Sequence, residues 1–400
     1  MIIGGGAAGL FTAIRLKQAC LSATVTLLEG SDRVGRKLLT TGNGRCNVSN
    51  TDLNGSRYHG DPDFAERIIN NFNFSAQRSA FEDLGIMFCE LEDGKVYPRS
   101  LQAGSVVDAL RYRAEELGVE ILVNSRVTEV KRTSEGFSVT AGGREYNCRT
   151  VAVATGGQAG GRLGSCDGYA ILRSMGHKIE KIFPSIVQIK TTPETVRQLK
   201  GIKVMANATM SSSLGVRTGY GEVLFCDYGL SGPPILQVSR LAEGENAVIS
   251  LDVLPDIPEL EIKNELLRRS EMFGNRPLSE LFLGFLNKRL GQVVLKSAGL
   301  DINSPCGEIT EKTALKISAI LKSWSFKVTG TTGFENAQVT AGGAQTTQFF
   351  DCCMSKKAKG LFAVGEVLNV DGDCGGFNLA FCWASADAAA KGIKEYLEKC

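Results

Sequence analysis

The chain has 400 residues, 46 of them glycine, and a formal net charge of +2 at pH 7. That near-neutral balance argues against a dedicated nucleic-acid-binding domain, and only two histidines, His59 and His177, argue against a His-built metal site or a His-centred triad. The composition is 43% apolar, enough for a large core, but no apolar run reaches the roughly 18 residues of a membrane span.

The N-terminus lacks the charged and apolar regions of a signal peptide, and the chain starts inside a strand, Met1 to Ile3. Gly4-Gly5-Gly6-Ala7-Ala8-Gly9 reads as a turn. Leu10 to Ala19 then carries Ala13, Leu16 and Ala19 at helical spacing, and Val25 to Leu28 forms a second strand ending at Glu29. Residues 64–90 and 103–117 are predicted helical. Glu120 to Val130, Phe137 to Thr140 and Thr150 to Ala154 are predicted strands. From about 186 to 254 the pattern alternates like short antiparallel strands. Residues 258–325 carry helical stripes, among them Leu278, Leu281, Phe282, Phe285, Leu286 and Leu290. Strands return after Phe326, and Leu361 to Val364 precedes another glycine-rich turn.

This order predicts an α/β fold. A Rossmann-like dinucleotide-binding domain (1–185 with 331–400) is interrupted by a β-barrel-like domain (186–257 with 326–340) that carries a helical insert (258–325). Twelve cysteines without a CxxC pair fit reduced thiols and a cytoplasmic location. The vicinal Cys352-Cys353 pair reads as two strand residues facing opposite ways.

The chemistry is expected in the glycine turns. Gly4, Gly6 and Gly9 stand between strand and helix, with Glu29 twenty residues on. Gly4 permits the tight turn, Gly6 lets the backbone approach a pyrophosphate, and Gly9 permits close helix packing. The helix N-terminus, at Ala7 and Ala8, offers free N–H donors. An acid at Glu29 suits ribose hydroxyls and disfavours a 2′-phosphate, so FAD or NAD fits better than NADP. The apolar strands ending in Thr155-Gly156-Gly157 and in Gly365-Glu366 resemble those of two-dinucleotide-type flavoproteins, where the late acid reaches the ribityl chain of FAD. The helix opened by DGDCGGFN (371–378) would then place its positive end at the flavin pyrimidine.

These features resemble a family of bacterial NAD(P)/FAD-dependent flavoproteins, the aminoacetone-oxidase family, which includes a branch reducing 3-oxo-Δ4,6 bile acids. GGGAAGL (4–10), GRKLLTTGNGRCNVSN (35–50), KVYPRS (95–100), VAVATGG (151–157), DYGLSGPPILQVSR (227–240), VTAGGA (339–344) and GEVLNVDGDCGGFNLAFCWAS (365–385) carry the likeness across the chain. It implies a non-covalently bound FAD. Gly6, Ala8 and Glu29 would contact the adenosine diphosphate. Gly35, Arg36 and Lys37 would lie near phosphate or ribose, Gly44, Arg45, Cys46 and Asn47 along the flavin, and Val127 beside adenine. Thr155, Gly156, Gly365 and Glu366 would flank the cofactor. Gly376, Asn378 and Leu379 would sit at its isoalloxazine end. Phe377, Asn369, Ala380-Phe381 and Cys226 depart from the residues usual there.

No residue stands out as the acid or base of the reaction. Cys46 is a candidate redox or relay thiol, Tyr97 with Arg99 a candidate carbonyl or anion contact on an exposed turn, and Tyr220 and Tyr228 candidate proton donors. His177 reads as a satisfied turn residue. The favoured function is a reductase of a C=C bond such as an enone, with NAD(P)H as transient donor; the alternatives are an oxidase of a small amine and a non-catalytic flavoprotein. The expected partner is a small molecule, with no nucleic acid, no membrane span and no metal.

Overall fold

Ile2–Ile3 pairs in parallel with Thr26–Leu28 on one side and with Val151–Val153 on the other. Leu361–Ala363 and Glu120–Leu122 extend this to a five-stranded parallel sheet. Such short strands are almost wholly apolar because both faces are covered. The computed structural model describes residues 1–399. They form two units, Met1–Pro184 with the stretch from Phe334 onward, and Ser185–Gly333.

In the first unit the opening helix (Ala7–Ala19) packs against the last helix (Phe377–Lys399). Small residues make the close approach possible: Ala13, Ala386 and Ala389 are fully buried. Arg15 Nε donates to Asp387 Oδ1 at 2.7 Å across the same pair. Phe11, Phe81 and Trp383 form an aromatic cluster with centroids 5.0–5.6 Å apart, each pair worth about 1 kcal/mol beyond its buried area. Trp383 Nε1 donates to Val48 O at 2.8 Å. That bond ties the last helix to the chain just after the GRCN segment.

The helix expected over 64–90 is in fact two, Pro62–Asn71 and Phe74–Glu82. Asn73 breaks it, its side chain accepting from Ala76 N as a new N-cap. Phe88–Glu90 is a strand and pairs with Lys95–Pro98, which also pairs with Ser49–Asn50. The strand expected over 120–130 is interrupted where Asn124 takes φ +52°, and resumes as Val127–Arg132.

The second unit is a closed six-stranded barrel. Its longest hairpin, Lys203–Ser212 with Gly215–Phe225, alternates so that Ala206, Ala208 and Met210 point into the core. The helices Glu259–Phe273, Lys288–Ser297 and Glu311–Lys322 have no core of their own. Ile262, Leu266, Val294 and Ile317 join Phe225, Ile249 and Leu251 of the barrel in one cluster. The stripe from Leu278 to Leu286 is not a continuous helix, because Gly284 takes φ +73° before Asn287 caps the next helix. Val339–Ala344 belongs to the first unit, and the barrel's last strand is Trp324–Thr331.

Candidate functional site

The turn after the first strand is shaped by two glycines that the protein itself requires. A Cβ on Gly9 would lie 1.9 Å from Gly4 O, and one on Gly4, at φ +106°, would lie 2.5 Å from Ala154 O. Gly6 differs: a Cβ there would meet nothing within 4 Å. The fold does not need glycine at 6, whereas a ligand backbone passing close to the helix N-terminus does. No side chain caps this helix, so its first N–H groups stay available.

Around this turn the structure collects most of the expected residues. Gly5 N donates to Glu29 Oε2 at 2.8 Å, and Ser31 N to Glu29 Oε1 at 2.7 Å. Each oxygen keeps lone pairs for a further donor. Gly35 N donates to Gly5 O at 2.8 Å, and Ser125 N to Glu29 O at 2.7 Å, which brings in the start of the Val127 strand. On the other side, a Cβ on Gly365 would lie 3.0 Å from the Cβ of Ala8, and one on Gly156 would lie 3.9 Å from Glu366 Oε2, placing Thr155 and Gly156 beside that acid. Glu366 accepts from Lys37 Nζ at 2.7 Å and from Thr340 N at 2.8 Å. Arg36 makes only a loose exposed pair with Asp32 at 3.8 Å, of little energetic weight.

A second group gathers where the GRCN loop meets the last helix. Gly376, at φ +99°, is fixed by Ser49 O and by Asn47 Oδ1, which a Cβ would approach to 2.8 Å. Asn50 Nδ2 donates to Gly375 O at 2.9 Å. The Asn378 amide is engaged within its own loop, accepting from Gly372 N and donating to Gly372 O and Asp373 O. It therefore sets the loop's shape, while Leu379 packs partly buried on the core.

Several candidates need correction. Cys46 is fully buried at φ +58°, and burial pushes its thiol up to about 12, against a smaller opposing effect of a hydrogen bond with Thr41. A thiol held protonated near neutral pH is a poor nucleophile. Tyr97 is not on an exposed turn: it lies in the Lys95–Pro98 strand and is 6% exposed. Arg45, not Arg99, covers its ring, with the guanidinium carbon 5.1 Å from the centroid. Tyr228 and Tyr220 belong to the barrel unit. Burial and then the Cys226 side chain push the Tyr228 phenol up, whereas Tyr220 is well exposed. His177 is buried, not a turn residue: Nε2 is 2.8 Å from Ser355 Oγ, the ring stacks on Phe349, and Nδ1 has no partner among the described residues. Cys352-Cys353 sits in a turn with Cys353 at φ +60°, not in a strand.

Sequence reasoning missed Tyr169. Its phenol is 1% exposed and unpartnered among the described residues. Burial, and next the Glu366 carboxylate, push its pKa upward. The sequence signal was faint, a tyrosine directly after Gly168, whose backbone lies against Thr155. Asn47 Oδ1 is likewise buried without a partner. Orphaned polar atoms are costly unless a ligand completes them. The open face at Gly6, the uncapped helix end and the orphaned Asn47 oxygen thus fit an extended dinucleotide carrying a flavin. Among the described residues no group of three His, Cys, Asp or Glu is placed to hold a metal ion, and no helix is long and apolar enough to cross a membrane.

The model of the HI0933-like protein Rossmann domain matches residues 1–392. Over 405 residues the chain is 33% identical to the 3-dehydro-bile acid delta(4,6)-reductase of Clostridium scindens, covering 98% of each chain. Over 402 residues it is 29% identical to the ribosomal RNA dihydrouridine synthase of Haemophilus influenzae, again 98% of each. Among solved structures, the 3-ketosteroid delta1-dehydrogenase of Sterolibacterium denitrificans superposes with a TM-score of 0.50 at 12% identity over 98% of both chains, a likeness of fold alone. With a ribosomal RNA-modifying relative at this similarity, the near-neutral charge does not exclude a nucleic-acid substrate.

Proposed function

Since this chain belongs to the HI0933-like family of FAD-binding Rossmann proteins and is an FAD-dependent oxidoreductase, we propose that it reduces a carbon–carbon double bond conjugated to a carbonyl group, with NAD(P)H as a transient electron donor. One observation carries this reading. The names of its relatives, a delta(4,6)-reductase of a 3-dehydro compound and a dihydrouridine synthase, describe the same chemistry, saturation of a C=C bond next to a C=O. A small enone is the preferred substrate, because the reductase is the more similar of the two. A uracil base in RNA is the second reading, carried by the synthase. All eleven described cysteines are free, which fits a reducing, cytoplasmic setting.

Bound FAD supplies hydride transfer at its N5 atom. The residues divide the work of holding it. Gly6 and the first helix turn would receive the pyrophosphate, and Glu29 the adenosine ribose. Glu366, oriented by Lys37 and Thr340 N, would take the ribityl side with Thr155 and Gly156 beside it. Asn47, with its orphaned oxygen, would contact the flavin, and the N-terminus of the last helix behind Gly376 would favour negative charge there.

Mass spectrometry of products tests the reading. Purified holoenzyme with NADH or NADPH, a panel of enones and a uridine-containing ribosomal RNA should add two hydrogens to an enone. Addition to uridine alone would select the second reading. Peroxide release with small amines would favour an oxidase, and no turnover with any donor a non-catalytic flavoprotein.

A further inference from the structure

Four residues around the GRCN loop adopt left-handed backbone: Gly42 at φ +56°, Asn43 at +56°, Gly44 at +81° and Cys46 at +58°. For Asn43 and Cys46 this costs on the order of 1 kcal/mol each. The strained turn lays Arg45 over Tyr97. Arg45 Nε donates to Gly42 O at 3.3 Å, and the guanidinium caps the tyrosine ring. Its terminal nitrogens meet no carboxylate among the described residues. Tyr97 is 6% exposed, and its hydroxyl makes no hydrogen bond among those residues. Next to them, a Cβ on Gly44 would meet nothing within 4 Å. The exposed Arg45 guanidinium and the Tyr97 phenol therefore stand together, offering N–H and O–H donors with no carboxylate among the described residues between them.

We propose that Arg45 and Tyr97 receive the carbonyl oxygen of the substrate and hold the negative charge it gains during reduction. The proposal rests on the reductase reading. Hydride, carrying the two electrons drawn from NAD(P)H, adds to the β-carbon. The C=C pair moves to form a double bond to the carbonyl carbon, and the C=O pair moves onto oxygen. The resulting enolate is neutralised when its α-carbon takes a proton from water. Donors preset at that oxygen stabilise the charge as it develops, and a flat fork suits it better than a lysine point charge.

The test uses 4-hydroxybenzaldehyde, a phenolate mimic of an enolate, titrated into oxidised holoenzyme and followed by the long-wavelength change in flavin absorbance. Wild type should bind it. Compared per bound flavin, Arg45→Gln and Tyr97→Phe should bind it at least tenfold more weakly, and Arg45→Lys should recover part of the loss. Equal affinity per bound flavin in all forms, or no binding by wild type, would overturn the proposal. Binding through Arg45 in an enzyme that reduces no enone would sustain the oxyanion site and overturn the reductase reading instead.

Discussion

Lys37 Nζ lies 2.7 Å from Glu366 Oε2, an ion pair joining residues 329 apart in sequence. Both side chains are mostly buried, 27% and 16% exposed. The pair links the segment after Gly35 to the turn after the Leu361–Ala363 strand. The second Glu366 oxygen accepts from Thr340 N, so the acid is held from two directions. Glu366→Ala would leave an ammonium and an N–H without their acceptor, at a cost of about 2 kcal/mol. Purified Glu366→Ala should be colourless and unfold at lower urea, while Lys37→Met should keep more stability and release flavin faster. Wild-type flavin content in both would contradict the role given to this pair.

Gly6 and Gly9 separate ligand binding from folding. Gly6→Ala meets no protein atom, so the apo-protein should unfold within about 0.5 kcal/mol of wild type yet bind FAD at least tenfold more weakly. Gly9→Ala drives a methyl into Gly4 O, and should destabilise the apo-protein by about 3 kcal/mol, the upper range of overpacking. Urea titration and flavin fluorescence separate the two effects, and equal destabilisation would count against this division.

Burial, with a smaller contribution from Lys357, lowers the pKa of His177 to about 4 from the ordinary histidine value of 6.5. Between those values the unfolded chain holds a proton that the native state does not, so stability is full above pH 6.5 and falls as pH drops toward 4. The loss approaches roughly 3 kcal/mol at the lower end. Stability measured from pH 7 to pH 4 should show this slope in wild type and less of it in His177→Gln. An equal slope in both would remove His177 as its source.

Cys46 and Cys166 should differ as nucleophiles. Cys46 is fully buried with its thiol held up near 12, whereas Cys166 is exposed. At pH 8 iodoacetamide should label Cys166 within minutes and Cys46 only after unfolding. Rapid labelling of Cys46 in the native protein, read by peptide mass mapping, would restore it as a reactive thiol.

The glycine fingerprint and its acid were legible because their spacing is dictated by backbone sterics and helix geometry, which are local. Glu366 was legible as the end of an apolar strand. Its partners Lys37 and Thr340 come from distant segments, and no local pattern announces such pairings. Tyr97 was misplaced because Pro98 reads as a turn, yet proline is tolerated at the end of a strand. Tyr169 and the orphaned Asn47 oxygen could not be read at all. An unpartnered atom exists only once the rest of the fold has closed around it. The three-domain expectation took helical periodicity for autonomy, whereas Ile262, Leu266 and Ile317 share one buried cluster with residues of the barrel strands.

Anaerobic stopped-flow spectroscopy of the purified holoenzyme tests the central claim most directly. Mixing with NADH or NADPH should bleach the flavin, and a second mix with an enone should restore its colour with one saturated product formed per flavin. Reoxidation by oxygen but by no enone or uridine-containing RNA, or no bleaching with either nicotinamide, would contradict it.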